Sequence, residues 1–377
     1  MNIRVETSSL ASQYQSGVAE YTRLLTHALS RQKNTTVHAH YFNFLHRQPQ
    51  PKFTDDGIVV EQNSLAPLRI YAKLQSHRLA PPFDTFLPSV DLTIFPNFAT
   101  WPTRKSALTA TVIHDLTYIY YPEVVEEGNL HHLRRVIPRT VRSSDFIITV
   151  SESVKAELVK ELQLDPERCV VTPVPPSDNF AQKCTPKELD AVRGKYNIGS
   201  KDYILFLGNL EPRKNLKTLV EAYRQLPESL RAKYQLVLAG GKGWKTEETQ
   251  QTIDEAITAK EQVKHIGYID SSDRPALYQA ASLFVMPSLY EGFGVPVLEA
   301  MLSSCPVVCS DIPVLRETGG DAAMYADSGD PSDFAAVIAK ALMDYPHSEA
   351  KMHDNVARFS WDKNVHAIID KADSLLR

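Results

Sequence analysis

Short β-branched runs alternate with helix-length amphipathic segments along this chain, and the alternation happens twice. In the first half, strands are predicted at 2–6, 36–42, 91–95, 108–113, 145–150 and 169–173, and helices at 17–31, 64–79, 127–142 and 152–162. In the second half, strands fall at 203–207, 234–239, 263–266, 282–286 and 306–309. Helices there fall at 214–226, 247–259, 272–280, 296–303 and 331–343. Continuously apolar strands separated by helices imply parallel sheets covered on both faces. Two such series imply two doubly wound domains, a reading that 377 residues also favour. The proline-rich stretch "TPVPPSDNFAQKCTPKE", 172 to 188, is the expected break. Domains are therefore expected over 1–178 and 179–360. The last stretch, 361–377, reads as a helix with Trp361, Val365, Ile368, Ile369 and Leu376 on or near one face.

Charge excludes little but is informative. A net charge of −4 is too mild to argue for nucleic acid. No run approaches the roughly 18 apolar residues of a spanning helix, and the start lacks a signal-peptide core, so a cytoplasmic protein is expected. Cys169, Cys184, Cys305 and Cys309 have no metal-ligand spacing and read as reduced core thiols.

Ligands of open α/β sheets bind outside the carboxyl ends of the strands. One such place is "SLYEGFGVPVLEA", 288 to 300, which follows an apolar strand. Gly292 and Gly294 precede a helix that Pro296 opens, so amides and the positive helix end would face an anion such as a diphosphate. Glu291 and Glu299 would accept hydrogen bonds from paired hydroxyls. The same pattern also fits a plain helix start with favourable acids. In "LFLGNLEPRKN", 205 to 215, a strand ends at Gly208 and Arg213 and Lys214 begin a helix. Cations at a helix N-terminus are unfavourable by about 0.3–1 kcal/mol, so these two call for an anion. "TVIHDLTYIYYPE" puts His114 and Asp115 after a strand, where a structural histidine is an equal reading. Gly17 stands before the first long helix without the GxGxxG spacing of a dinucleotide site. "LAGGKGWK", 238 to 245, reads as a turn more readily than as a site.

Taken together, Glu291 and Glu299 around the GFG loop, "EPRKN", "VIHDL", "TVSESVKAEL" and "PVVCSDIPVLRETGGDAA" resemble the retaining glycosyltransferases of family 4. Within that family the chain looks most like bacterial mannosyltransferases of surface-polysaccharide synthesis. The resemblance implies a GT-B fold: two Rossmann-like domains facing across a cleft, the C-terminal helix 361–377 crossing back to the first. It implies a nucleotide-sugar donor, with mannose from GDP-mannose as the leading expectation and a UDP-sugar as the alternative. The acceptor would be a glycan or lipid-linked oligosaccharide. Arg213 and Lys214 would neutralise the diphosphate, and Glu291 would contact the transferred sugar. Phe293, Gly294 and Val295 would offer backbone contacts, with Gly292, Gly208 and Asn209 in the same donor-binding loops. Glu299 would hold the ribose, His114 would reach the donor sugar, and Gly17 would lie near phosphate. Ala19 stands where many relatives have a second glycine, and Asn209 where threonine or arginine is common. No cofactor and no metal are expected. Same-face attack is expected, with Glu291 positioning the sugar rather than bonding to it.

The basic stretch "HHLRRVIPRTVR" offers His131, Arg135, Arg139 and Arg142 to an anionic membrane surface, and "LRIYAKLQSHR" adds Arg69, Lys73 and Arg78. Solvated helix faces are the alternative. Other enzyme and non-enzyme readings are a sugar-nucleotide epimerase, lacking identifiable extra acid/base groups, and a catalytically silent nucleotide-sugar-binding scaffold.

Overall fold

The computed structural model describes the chain except residues 12–16, 45–49, 54–56, 65–66, 68–69, 72–73, 75–78, 80, 105–106, 242 and 244–245. The expected helix at 64–79, with Arg69, Lys73 and Arg78, lies largely outside the described residues.

The chain divides into two compact units. The first comprises Met1–Leu116, His131–Val174 and Ser360–Arg377, and the second Thr117–Leu130 and Pro175–Phe359. One chain half per domain does not anticipate this, because 117–130 goes with the second unit. The division between Val174 and Pro175 falls inside the proline-rich stretch 172–188, four residues before the expected 178/179.

Among the described residues, the first unit holds a parallel sheet of seven strands. These are β1 (Asn2–Glu6), β2 (Thr36–Phe42), β3 (Ile58–Asn63), β4 (Leu92–Phe95), β5 (Leu108–Ile113), β6 (Phe146–Thr149) and β7 (Cys169–Val171), in the order β3-β2-β1-β4-β5-β6-β7. The second holds six: β8 (Asp202–Leu207), β9 (Tyr234–Ala239), β10 (Val263–Gly267), β11 (Leu283–Met286), β12 (Val307–Ser310) and β13 (Met324–Ala326), in the order β10-β9-β8-β11-β12-β13. Every neighbouring pair is parallel. Strand order therefore reverses between β1 and β4 in one unit and between β8 and β11 in the other. Those reversals open the crevice where such sheets bind ligands.

Central strands are wholly buried, as in β4, β6, β9, β11 and β12, and this is why their sequences read as unbroken apolar runs. β3 and β13, absent from the sequence reading, are edge strands. β3 is half-exposed, with Val59 48% accessible, and β13 has only three residues, so neither carries a full apolar signal.

Helices Pro186–Lys195, Pro313–Gly319 and Glu349–Val356 were also not anticipated. The first has a capping box that "TPKE" spells out: Thr185 accepts from the Glu188 amide, and Glu188 accepts from the Thr185 amide. The prolines nearby masked it. The terminal helix Trp361–Leu376 packs in the first unit against helix Gly17–Ser30 and β7. Asn364 donates to the Pro173 carbonyl at 2.6 Å, and Trp361 lies 5.5 Å from Tyr21, centroid to centroid. Val365 and Ile368 are buried as expected. Leu376 is instead exposed, because the buried stripe runs through Ala372 and leaves the packed surface before the final turn.

Cys169, Cys305 and Cys309 are free and buried, whereas Cys184 is only half-buried. No helix among the described residues is long and apolar enough to cross a membrane.

Candidate active site

In the second unit, two loops leave the strands on either side of the reversal. The loop after β8 is fixed by backbone bonds to its neighbour after β9: Gly208 N–H to Ala239 O at 2.9 Å, Leu210 N–H to Gly241 O at 2.9 Å, and Gly243 N–H to Leu210 O at 3.1 Å. Arg213 and Lys214 do not begin the helix. They sit in a 3-10 turn, Pro212–Lys214, and helix Leu216–Gln225 starts after Asn215. Asn215 takes the left-handed conformation, φ 56°, which asparagine tolerates better than most residues. Its amide ties the turn to the Pro287 carbonyl (3.1 Å) and the Ser328 carbonyl (2.8 Å).

The loop after β11 runs from Pro287 to Gly294 and meets that turn directly. Leu289 N–H donates to Arg213 O at 2.8 Å, and Arg213 Nη1 donates to Tyr290 O at 3.2 Å. Glu291 is buried and doubly paired, Oε2 to Arg213 Nη1 at 2.9 Å and Oε1 to Lys214 Nζ at 2.5 Å. Burial alone would raise its pKa. The Lys214 ammonium and Arg213 guanidinium outweigh that and hold it at about 2. Burial and Arg213 pull Lys214 down, against the Glu291 carboxylate. Glu291 is thus an anion clasped by two cations.

Gly294 follows, at φ 101°, and starts helix Val295–Leu302. A β-carbon there would sit 2.7 Å from Leu315 Cδ2, so glycine is required twice over, by conformation and by space. Thr318 Oγ1 donates to Phe293 O at 2.5 Å and fixes the turn that aims the first-turn amides of the helix outward. Glu299, one turn in, is buried, and its Oε2 accepts from Arg274 and, at 3.0 Å, from Tyr278 Oη.

The structure therefore gathers Gly208, Asn209, Arg213, Lys214, Glu291, Gly292, Phe293, Gly294, Val295 and Glu299 around one sheet reversal. His114 and Gly17 belong to the first unit, where they are neighbours through Tyr21: its ring, on helix Gly17–Ser30, stands edge-on to His114 at 5.0 Å. His114 Nε2–H donates to Pro96 O at 2.8 Å. Burial pushes its pKa down despite that bond and Asp115, so the ring is neutral and Nδ1 is an acceptor. Gly17 is exposed at the helix start, and among the described atoms nothing lies within 4 Å of where a β-carbon would be.

Five contributors escaped the sequence reading. Glu211 is buried and accepts from Arg213 Nε at 2.8 Å. Arg274 and Tyr278 share a face one turn apart, a spacing legible in "RPALYQ", but their partner on another helix is not. Tyr120 stacks on Tyr290 with centroids 5.9 Å apart, and Tyr121 Oη donates to Leu289 O at 3.3 Å. Both come from the 117–130 segment that packs with the second unit.

Residues 190–359 match the family model for glycosyl transferases group 1. The chain is 33% identical over 270 residues to O-antigen chain mannosyltransferase B of Escherichia coli, covering 71% of this chain and 70% of that one. It is 28% identical over 252 residues to O-antigen chain mannosyltransferase RfbU of Salmonella typhimurium, covering 66% and 65%. It is 31% identical over 280 residues to the serotype-specific mannosyltransferase WbdA of E. coli, of whose length it spans 34%. Among solved structures it resembles sucrose-phosphate synthase from Thermosynechococcus elongatus (TM-score 0.74, 18% identity, 100% and 98% covered). It also resembles Anabaena HepE in complex with UDP and glucose (TM-score 0.68, 18% identity, 99% of each chain). These likenesses, with the two doubly wound sheets, make the fold GT-B. The chain belongs to the group 1 glycosyl transferases and is a glycosyltransferase of bacterial mannosyltransferase kin.

Proposed function

We propose that this enzyme transfers mannose from GDP-mannose to a glycan or lipid-linked oligosaccharide with retention of anomeric configuration. The observation that carries the reading is the Arg213–Glu291–Lys214 cluster beside the amino end of helix Val295–Leu302, at the β8/β11 reversal. Mannose is supported by the names of the relatives above, all mannosyltransferases.

Leaving-group departure builds charge on the β-phosphate. Arg213, Lys214 and the helix amides are fixed donors for that charge, and losing one such donor typically costs about 3 kcal/mol. With these in place the diphosphate site works without a metal. Glu291 has lone pairs beyond those its cations use, so it can accept from sugar hydroxyls while staying paired. A carboxylate clasped by two cations is a poor nucleophile, which favours attack on the face the leaving group vacates, the β-phosphate taking the acceptor proton. Neutral His114, with Nδ1 as acceptor, suits a sugar hydroxyl better than a phosphate. Glu299, oriented by Arg274 and Tyr278, is assigned to the ribose.

The acceptor reading brings in a membrane surface. On helix Glu127–Ser143, His131, Arg135, Arg139 and Arg142 are all exposed, which suits anionic lipid at the inner face of the plasma membrane. Flotation with anionic liposomes tests this; binding that does not fall with salt, or none, counts against it.

The decisive experiment offers the purified protein GDP-mannose, UDP-glucose, UDP-N-acetylglucosamine and UDP-galactose, each with and without EDTA. Stabilisation and turnover with GDP-mannose, unaffected by EDTA, with product anomers assigned by NMR as retained, is the expected result. Preference for a UDP-sugar replaces the donor, and loss with EDTA replaces the metal-free site.

A further inference from the structure

The site's charge balance has a consequence for product release. Two cations, Arg213 and Lys214, face two buried carboxylates, Glu291 and Glu211, so the cluster is formally neutral. Glu291 has a proposed task on the sugar. Glu211 has none, yet it is buried within the site and its position is strictly determined. The backbone at Gly243 comes close to it, leaving no room for a side chain there: a β-carbon at Gly243 would lie 2.6 Å from Glu211 Cγ and 2.6 Å from Leu210 O. Glu211 lies against the Nε edge of Arg213, while Glu291 takes Nη1. The guanidinium is held in one plane from two sides.

We propose that Glu211 is a positioning and charge-balancing residue of the donor site: it orients Arg213 and offsets one cation, so that the nucleoside diphosphate is released after transfer. This rests on the diphosphate reading above. The chemistry is simple. In the sugar donor the diphosphate is a diester, and the departing nucleoside diphosphate gains a terminal phosphate with a second ionisation near neutral pH. Product is therefore more negative than donor. Any surplus positive charge in the site favours product over donor, and slows each cycle at its last step. Glu211 removes that surplus without removing the donors that the transition state needs.

The test uses the full chain with Glu211→Gln, which keeps an acceptor for Arg213 Nε and loses the charge, and Glu211→Ala, which loses both. Titration calorimetry with GDP and with UDP is expected to show the Gln variant binding the nucleoside diphosphate about 10-fold more tightly than the parent. Its steady-state turnover falls while its single-turnover rate holds. The Ala variant loses single-turnover rate as well, because Arg213 is no longer oriented. Unchanged or weaker diphosphate binding by Glu211→Gln overturns the proposal, as does an Ala variant that matches it in single turnover. A parent protein that binds neither GDP nor UDP sinks the diphosphate reading itself, which separates the two failures.

Discussion

The two sheet reversals make an instructive contrast. At β8/β11 four charged side chains form a chain of ion pairs, Glu211 to Arg213 to Glu291 to Lys214. At β5, beside the β1/β4 reversal, His114 is bound to a backbone carbonyl and packed among Tyr21 and Phe98, with Asp115 next to it. One fold plan thus yields a chain of ion pairs at one reversal and, near the other, an imidazole held between a backbone carbonyl and two aromatic rings. Topology determines where a ligand can sit, and the side chains in the loops decide what it can be.

The contrast is broken most directly by Lys214→Ala. Turnover is expected to fall by about 10²-fold or more with the fold retained, since one fixed donor to the leaving group is gone. Near-parental turnover in a steady-state assay would remove the charged reversal from the chemistry. Next comes Gly294→Ala. The left-handed backbone and the Leu315 contact together predict a loss of about 1–3 kcal/mol in denaturant unfolding, with turnover impaired as well.

A third comparison separates the two acids. Arg274→Gln removes the guanidinium beside Glu299, leaves the Tyr278 hydroxyl bonded to it, and is expected to raise donor KM several-fold with kcat little changed, because it disturbs binding common to ground and transition states. A fall in kcat alone would move Glu299 into the chemistry. Acid unfolding sharpens the same point. Glu291 is ionised in the folded state down to about 2, against an ordinary 4.5, so its contribution to stability is present above about pH 4.5 and disappears as pH falls towards 2. Glu291→Gln is expected to flatten the stability curve across that window in denaturant titrations at stepped pH. The smallest effect belongs to the first unit: Tyr21→Phe removes a buried hydroxyl contact with Thr172 (2.8 Å) and is expected to cost about 1 kcal/mol.

The charged reversal was also the more legible of the two in the sequence. Arg213, Lys214, Glu291 and the GFG loop follow strand ends, where parallel sheets expose their loops, and glycine and proline mark the turns. What stayed hidden depends on distance in the chain rather than pattern. Glu211 looks like any loop acid until Gly243 is seen close beside it and Arg213 paired to it. Tyr120 and Tyr121 precede Tyr290 by about 170 residues, and no local period connects them. Edge strands β3 and β13 were missed because burial on both faces, the source of the signal, is absent there. The helix at Pro186 is hard to see in the sequence because proline breaks a helix interior yet suits the first residue after a cap, which is where Pro186 stands.

Unit membership by this chain also sets a timetable. Ribosomes deliver residues 1–116 and 131–174 early, yet the first unit's own helix, Trp361–Leu376, follows the whole of the second unit in the chain. While the later unit is being synthesised, the flank of helix Gly17–Ser30 where Tyr21 meets Trp361 waits without its cover, a natural place for a chaperone to hold. Loss of 360–377 therefore injures the unit built from the earliest residues.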